Sequence, residues 1–119
     1  MKDKSYWMSL VKINVIRIAG KADSFDELMS ELREARITSE DLHELGFYWA
    51  LCLYGHAANS IILFADREDA VDEMKTCMSI FSLQNKKQVV EEYIHPDDNL
   101  AWVETKSDDL KWEAAIYPI

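Results

Sequence analysis

The sequence predicts an α+β fold: a single compact domain over residues 1–119, with three to four helices around a central buried helix, packed on a small antiparallel sheet that includes a C-terminal hairpin. Three observations support this prediction. A chain of 119 residues, 49% of them hydrophobic, is long enough to bury one core. Helix-capping spacings recur in the first two thirds of the chain. An alternation of apolar and polar residues replaces them near the C-terminus.

The first segment, residues 6–19, fits two different periods. Val11, Ile13 and Val15 alternate with polar residues as in a strand, whereas Val11, Val15 and Ile18 follow a helical spacing. The β-branched content favours a strand, so we expect a strand here, with a helix as the alternative.

Two further helices are predicted from their N-terminal signals. Ser24 and Glu27 have the spacing of a capping box, and apolar residues follow at intervals of three and four, which predicts a helix over Phe25–Arg36. Asp66 is a candidate N-cap for a second such helix over Arg67–Leu83.

The stretch Asp41–Phe64 is the most apolar part of the chain. Read with a helical period, its apolar residues form two adjoining stripes, which is typical of a buried helix. A capping signal at Thr38 and Asp41 starts this central helix near Ser39 or Glu40, and Gly55 ends or bends it. A short buried strand over Ile61–Phe64 is the alternative to a continued helix.

The last third of the chain changes to a period of two. Residues 100–105 are extended in character, and apolar residues alternate with others from Leu110 to Ile116, which predicts a C-terminal hairpin. The segment before it, residues 88–94, is a short helix or strand that ends ahead of Pro96.

The charge is strongly negative, with 22 acids against 13 Lys plus Arg and a formal net charge of −9. Residues 21–73 hold thirteen acids against four basic residues, while residues 1–20 carry a net +3. Nucleic acid and anionic membranes repel such a protein, so we expect no direct binding to either. The expected partner is a basic protein.

The N-terminal apolar run differs from a signal peptide because Lys12, Asn14 and Arg17 interrupt it. There is also no uninterrupted apolar run of about 20 residues for a membrane helix. Cys52 and Cys77 lie in apolar surroundings and are interpreted as buried free thiols of a reducing compartment. We therefore expect a cytoplasmic protein.

Motifs for catalysis and metal binding are weak. His95, Asp97 and Asp98 could ligate a metal, but a polar turn around Pro96 is the simpler interpretation. Cys52 and His56 have the residue types of a thiol nucleophile, yet an apolar, acidic setting does not favour a thiolate. The sequence therefore predicts no catalytic residue, no metal and no cofactor.

Carboxylates close to aromatic residues suit a protein-recognition surface, because acids steer a basic partner and an aromatic side chain anchors it. The predicted partner-binding residues are Glu68, Asp69, Asp72, Glu73, Asp97, Asp98, Trp102, Glu104, Asp108 and Asp109.

Small size, acidity and the expected cytoplasmic location resemble bacterial toxin-neutralising proteins as a class. Our leading hypothesis is an immunity or antitoxin-type protein that neutralises a cationic protein such as a nuclease toxin, by covering its nucleic-acid-binding or active-site surface. Three alternatives remain: a phage or plasmid inhibitor of a host nucleic-acid-binding enzyme, a small enzyme using His56 or His95, and a subunit that forms a homodimer.

Overall fold

The structure, a computed structural model, describes residues 4–55, 59–107 and 110–119. In these residues it contains four helices and five strands, which confirms the α+β class. The helices are α1 (Lys4–Lys21), α2 (Phe25–Glu34), α3 (Ser39–Glu44) and α4 (Arg67–Gln84). The strands are β1 (Trp49–Gly55), β2 (Asn59–Phe64), β3 (Val89–Ile94), β4 (Leu100–Thr105) and β5 (Trp112–Pro118). Within the described ranges, no helix has the length and apolarity needed to cross a membrane.

The strands form one antiparallel sheet in the order β2-β1-β5-β4-β3. The predicted pairing of the C-terminal strands is confirmed, since β4 lies beside β5. The ambiguous segment before them is strand β3, which pairs with β4. Strand β1 lies between β2 and β5, so it is hydrogen-bonded along both edges.

The preference for a strand over residues 6–19 is wrong. The segment belongs to helix α1, which buries Val15, Ile18 and Ala19. These three residues recur at intervals of three and one and so lie on one side of a helix. Packing of that stripe against the core outweighs the local preference of β-branched residues for a strand.

The predicted central helix over Asp41–Phe64 is also wrong. Helix α3 has only six residues, and Gly46 follows it with φ +89°, a conformation that glycine adopts at low cost. Residues 49–55 and 59–64 form the antiparallel strands β1 and β2, of which the second matches the alternative over Ile61–Phe64. A strand covered on both faces is as continuously apolar as a buried helix, so periodicity could not separate the two.

The capped helices agree with their local signals. The Ser24 side chain accepts a hydrogen bond from the Glu27 backbone N–H at 3.1 Å, at the start of α2. Thr38 and Asp41 form a reciprocal capping box at the start of α3. Helix α4 covers nearly the predicted range, although Asp66 makes no side-chain capping hydrogen bond.

The sheet has helices on both sides. One core joins α1, α2 and α3 to Ala50, Cys52 and Ile61 of strands β1 and β2. The other core joins α4 to Leu51 and to buried residues of β4 and β5. Helices α1 to α3 cover β2, β1 and the Tyr117 end of β5 on their side, which leaves the opposite end of that side open.

Candidate functional site

The uncovered end of the sheet is formed by strands β3, β4 and the start of β5. Six side chains lie on it, and four of them are exposed while two aromatic rings are half-buried. We call this surface the open face; its residues are Glu91, Tyr93, Leu100, Trp102, Glu104 and Glu113.

Strand register shows that these side chains share one side of the sheet. Trp102 lies opposite Tyr93 on one neighbouring strand and opposite Glu113 on the other. Glu113 in turn lies opposite Tyr54, which packs on the core of helices α1 to α3. Directly opposed residues in an antiparallel pair point to the same side. The open face therefore continues the side that carries these helices.

The centre of the open face is an aromatic pair. The rings of Tyr93 and Trp102 stack with centroids 4.2 Å apart and an interplanar angle of 23°. The Nε1 atom of Trp102 is buried and has no hydrogen-bond partner among the described residues. Both residues are half-buried, and an indole ring is the best aromatic acceptor for a cation.

Carboxylates surround the aromatic pair. Glu91 lies directly opposite Glu104 on the paired strands β3 and β4, and Glu113 lies beside Trp102. The salt bridges formed among the described residues join other side chains, so these three glutamates have no cationic partner there. Like charges directly opposite each other destabilise a strand pair. A cationic side chain bound at the open face would therefore relieve the repulsion between Glu91 and Glu104.

The structure separates the predicted partner-binding residues into different surfaces. Trp102 and Glu104 lie on the open face. Four predicted acids lie on the first turns of α4, which packs against the opposite side of the sheet; they are Glu68, Asp69, Asp72 and Glu73. One binding surface cannot include both groups.

Asp97 and Asp98 lie in the turn between β3 and β4, and this turn is fastened to α4. Lys75 forms a salt bridge of 3.3 Å with Asp98, and the Arg67 guanidinium donates a hydrogen bond to the Asp97 backbone carbonyl. The Asp98 carboxylate therefore already has a cationic partner within the fold, whereas Asp97 is held through its backbone and its side chain is 76% exposed. Asp108 and Asp109 lie outside the described residues.

Four members of the open face were not predicted as binding residues: Glu91, Tyr93, Leu100 and Glu113. Reading residues 88–94 as a strand places Glu91 and Tyr93 on the same side, so alternation was an available signal for two of them. Their meeting with Trp102 depends on which strands pair, and no local pattern contains that information. Trp112, by contrast, points into the core under α4 and is 6% exposed.

The candidate nucleophile Cys52 is fully buried, and burial raises the pKa of its thiol. Burial also raises the pKa of the Cys77 thiol, with a smaller contribution from Glu73. Both thiols are therefore protonated at neutral pH, which disfavours nucleophilic chemistry. His95 lies in the turn after β3, where its Nδ1 accepts a hydrogen bond from the Asp97 backbone N–H at 3.1 Å. His56 lies outside the described residues.

Tyr54 gives the fold a dependence on alkaline pH. Burial, followed by its proximity to Cys52, raises the pKa of Tyr54 from 10.0 to about 12. Between pH 10 and about pH 12 the folded protein therefore keeps the Tyr54 proton that the unfolded chain has released. The contribution of Tyr54 to the free energy of unfolding is thus fully present below pH 10 and is lost as the pH rises towards 12. We expect Tyr54→Phe to lose less stability over this interval than the wild type in urea unfolding. An equal loss would contradict the assignment.

Comparison with known proteins finds no relative: no family model, curated protein or solved structure matches the chain. Across the described parts of the chain, no group of three or more His, Cys, Asp or Glu side chains could hold a metal ion. The candidate site is therefore the open face, with its stacked Tyr93 and Trp102 rings and its opposed Glu91 and Glu104.

Proposed function

We propose that this chain is an immunity or antitoxin-type protein that binds and neutralises a cationic protein through the open face. One observation carries the proposal: Glu91 and Glu104 oppose each other beside a stacked Tyr93 and Trp102 pair, with no cation of the described fold between them.

Binding a basic partner turns the unfavourable arrangement into a favourable one. A lysine or arginine placed between Glu91 and Glu104 replaces repulsion with two attractive pairs. The adjoining rings supply desolvated area and a cation–π contact, which is the combination found at binding hot spots. The net charge of −9 increases the rate at which a basic protein finds the surface.

A nuclease toxin fits these requirements as the partner. Its nucleic-acid-binding surface must be basic to hold phosphates, and carboxylates on a rigid sheet can occupy the phosphate positions. An inhibitor seated there blocks the substrate without performing chemistry. A phage inhibitor of a host nucleic-acid-binding enzyme would use the same surface, and the genes beside this one distinguish the two.

The carboxylate pair can be tested with Glu104→Gln. Removing one of two opposed charges should raise the free energy of unfolding by about 0.3 kcal/mol, the low end for exposed pairs. The same change should weaken binding to the basic partner and reduce the dependence of the affinity on salt. Urea unfolding and titration calorimetry measure the two effects.

The matched control is Glu92→Gln, which makes the same charge change on β3, at the residue next to Glu91. Glu92 lies opposite Val103, on the other side of the sheet. The Glu92→Gln variant should leave both the free energy of unfolding and the affinity for the basic partner nearly unchanged. If the two variants behave alike, net charge and not the open face determines binding.

The function itself is tested by mixing the protein with basic proteins encoded beside its gene. We expect a complex that weakens as salt increases and that suppresses the toxicity or nuclease activity of the partner. Absence of a complex with every such neighbour at low salt would contradict the proposed function.

A further inference from the structure

The two edges of the sheet are protected very differently. The β3 edge carries Glu91 and Glu92 and has a register shift between Val89 and Glu91, features that discourage pairing with another strand. The β2 edge has the sequence NSIILF, with no charge and no proline. Beyond its pairing with β1, the backbone of residues 59–63 makes no hydrogen bond to other described backbone groups. An uncharged edge of this kind readily pairs with a further strand.

An apolar surface continues from this edge onto helix α1. A groove of about 350 Å³ lies between them, lined by Ile16, Ala19 and Gly20 of α1, by Phe47, and by Ile61, Ile62 and Leu63. Apolar side chains of α1 extend that surface outward, where Ile13 is 66% exposed and Ile16 is 56% exposed. Helix α1 is thus apolar on its outer side as well as towards the core.

The charge distribution indicates what covers this surface. Between Lys4 and Lys21 helix α1 has four basic residues and no acid, and β2 has no charged residue. A strongly basic partner prefers the acidic open face, at the other end of the sheet. Two copies of a protein with a net charge of −9 repel each other least where their surfaces are not acidic.

We propose that this surface is a homodimer interface, in which β2 pairs antiparallel with β2 of a second copy. The two-fold axis of such a pair is normal to the sheet, so α1 of both copies lies on the same side and packs across the axis. Opposed residues in such a pair must point to the same side of the sheet, and one register that meets this condition places Ile62 opposite its own copy and Ile61 opposite Leu63. The result is a ten-stranded sheet with one open face at each end.

The test is sedimentation equilibrium of the full chain over a range of concentrations. We expect the wild type to approach twice its mass of 13.8 kDa. Ile16→Lys and Ile62→Lys should shift the association towards monomer by about tenfold or more, since each places a charge in an apolar contact. The midpoint temperature of thermal unfolding of the wild type should rise with protein concentration, because dimerisation is linked to folding.

Val90→Lys is the matched control, because Val90 is 62% exposed and lies on the opposite edge strand. It should dimerise like the wild type. The Ile16→Lys variant should still fold, because the Ile16 side chain is mostly exposed. Its circular dichroism spectrum should therefore match that of the wild type even when it is monomeric. A wild type that is monomeric at all concentrations overturns the proposal, as does loss of dimer in Val90→Lys alone. Monomers that bind anionic lipid vesicles through Ile16 would assign the surface to a membrane and also overturn it.

Discussion

Replacing Trp102 with alanine should weaken binding to the basic partner by about 30-fold or more, which corresponds to about 2 kcal/mol. Trp102 is the central ring of the open face, stacked on Tyr93 at 4.2 Å and neighboured by Glu113. The substitution removes the largest apolar contact and the main cation–π acceptor together. Titration calorimetry at low salt, on protein with an unchanged circular dichroism spectrum, measures the effect.

Two further variants separate the causes. Trp102→Phe keeps a ring that can stack on Tyr93 and should lose less affinity than the alanine variant. Trp7→Ala removes a tryptophan that is 59% exposed on α1, and this helix packs against β2, the edge strand farthest from β3. It should leave the affinity for the partner unchanged. If Trp7→Ala weakens binding as much as Trp102→Ala, the partner binds another surface.

Replacing Leu51 with alanine should lower the free energy of unfolding by about 3 kcal/mol. Leu51 is fully buried on β1, the strand between β2 and β5, and its side chain packs in the core beneath α4. The truncation loses buried apolar area and leaves a cavity that a strand bonded along both edges cannot easily close. Domains of this size are stable by about 5–15 kcal/mol, so the loss is large.

Urea unfolding followed by circular dichroism measures this change. Leu83→Ala is the control: Leu83 is 75% exposed near the end of α4, and its truncation should change stability by less than about 0.5 kcal/mol. A change at Leu51 no larger than at Leu83 would show that Leu51 is not packed in the core beneath α4.

The elements that the sequence predicted well have signals within a few residues. Ser24 and Thr38 are capping residues whose hydrogen-bond partners lie three positions away, and both helices start where the spacing placed them. The alternation near the C-terminus likewise belongs to the strand that displays it. In each case the information and the contact are local.

The elements that it predicted wrongly depend on what lies on each side of them. Residues 49–55 contain no charged residue because β1 is covered on both faces, by α4 on one and by helices α1 to α3 on the other. Residues 6–19 are apolar on two sides of α1, which obscured the helical period. Neither condition is visible until the layers are assembled.

The candidate site divides in the same way. The sequence alone determined that the protein is acidic and that acids and aromatic residues are neighbours near the C-terminus. It also places Trp102 and Glu104 two positions apart in a predicted strand, and therefore on the same side of it. Only the tertiary structure decided that Glu91 and Tyr93 join them, and that the acids of α4 lie on the opposite side of the sheet. The physical reason is that alternation orders side chains along a strand, whereas hydrogen bonding between distant strands decides which side chains meet.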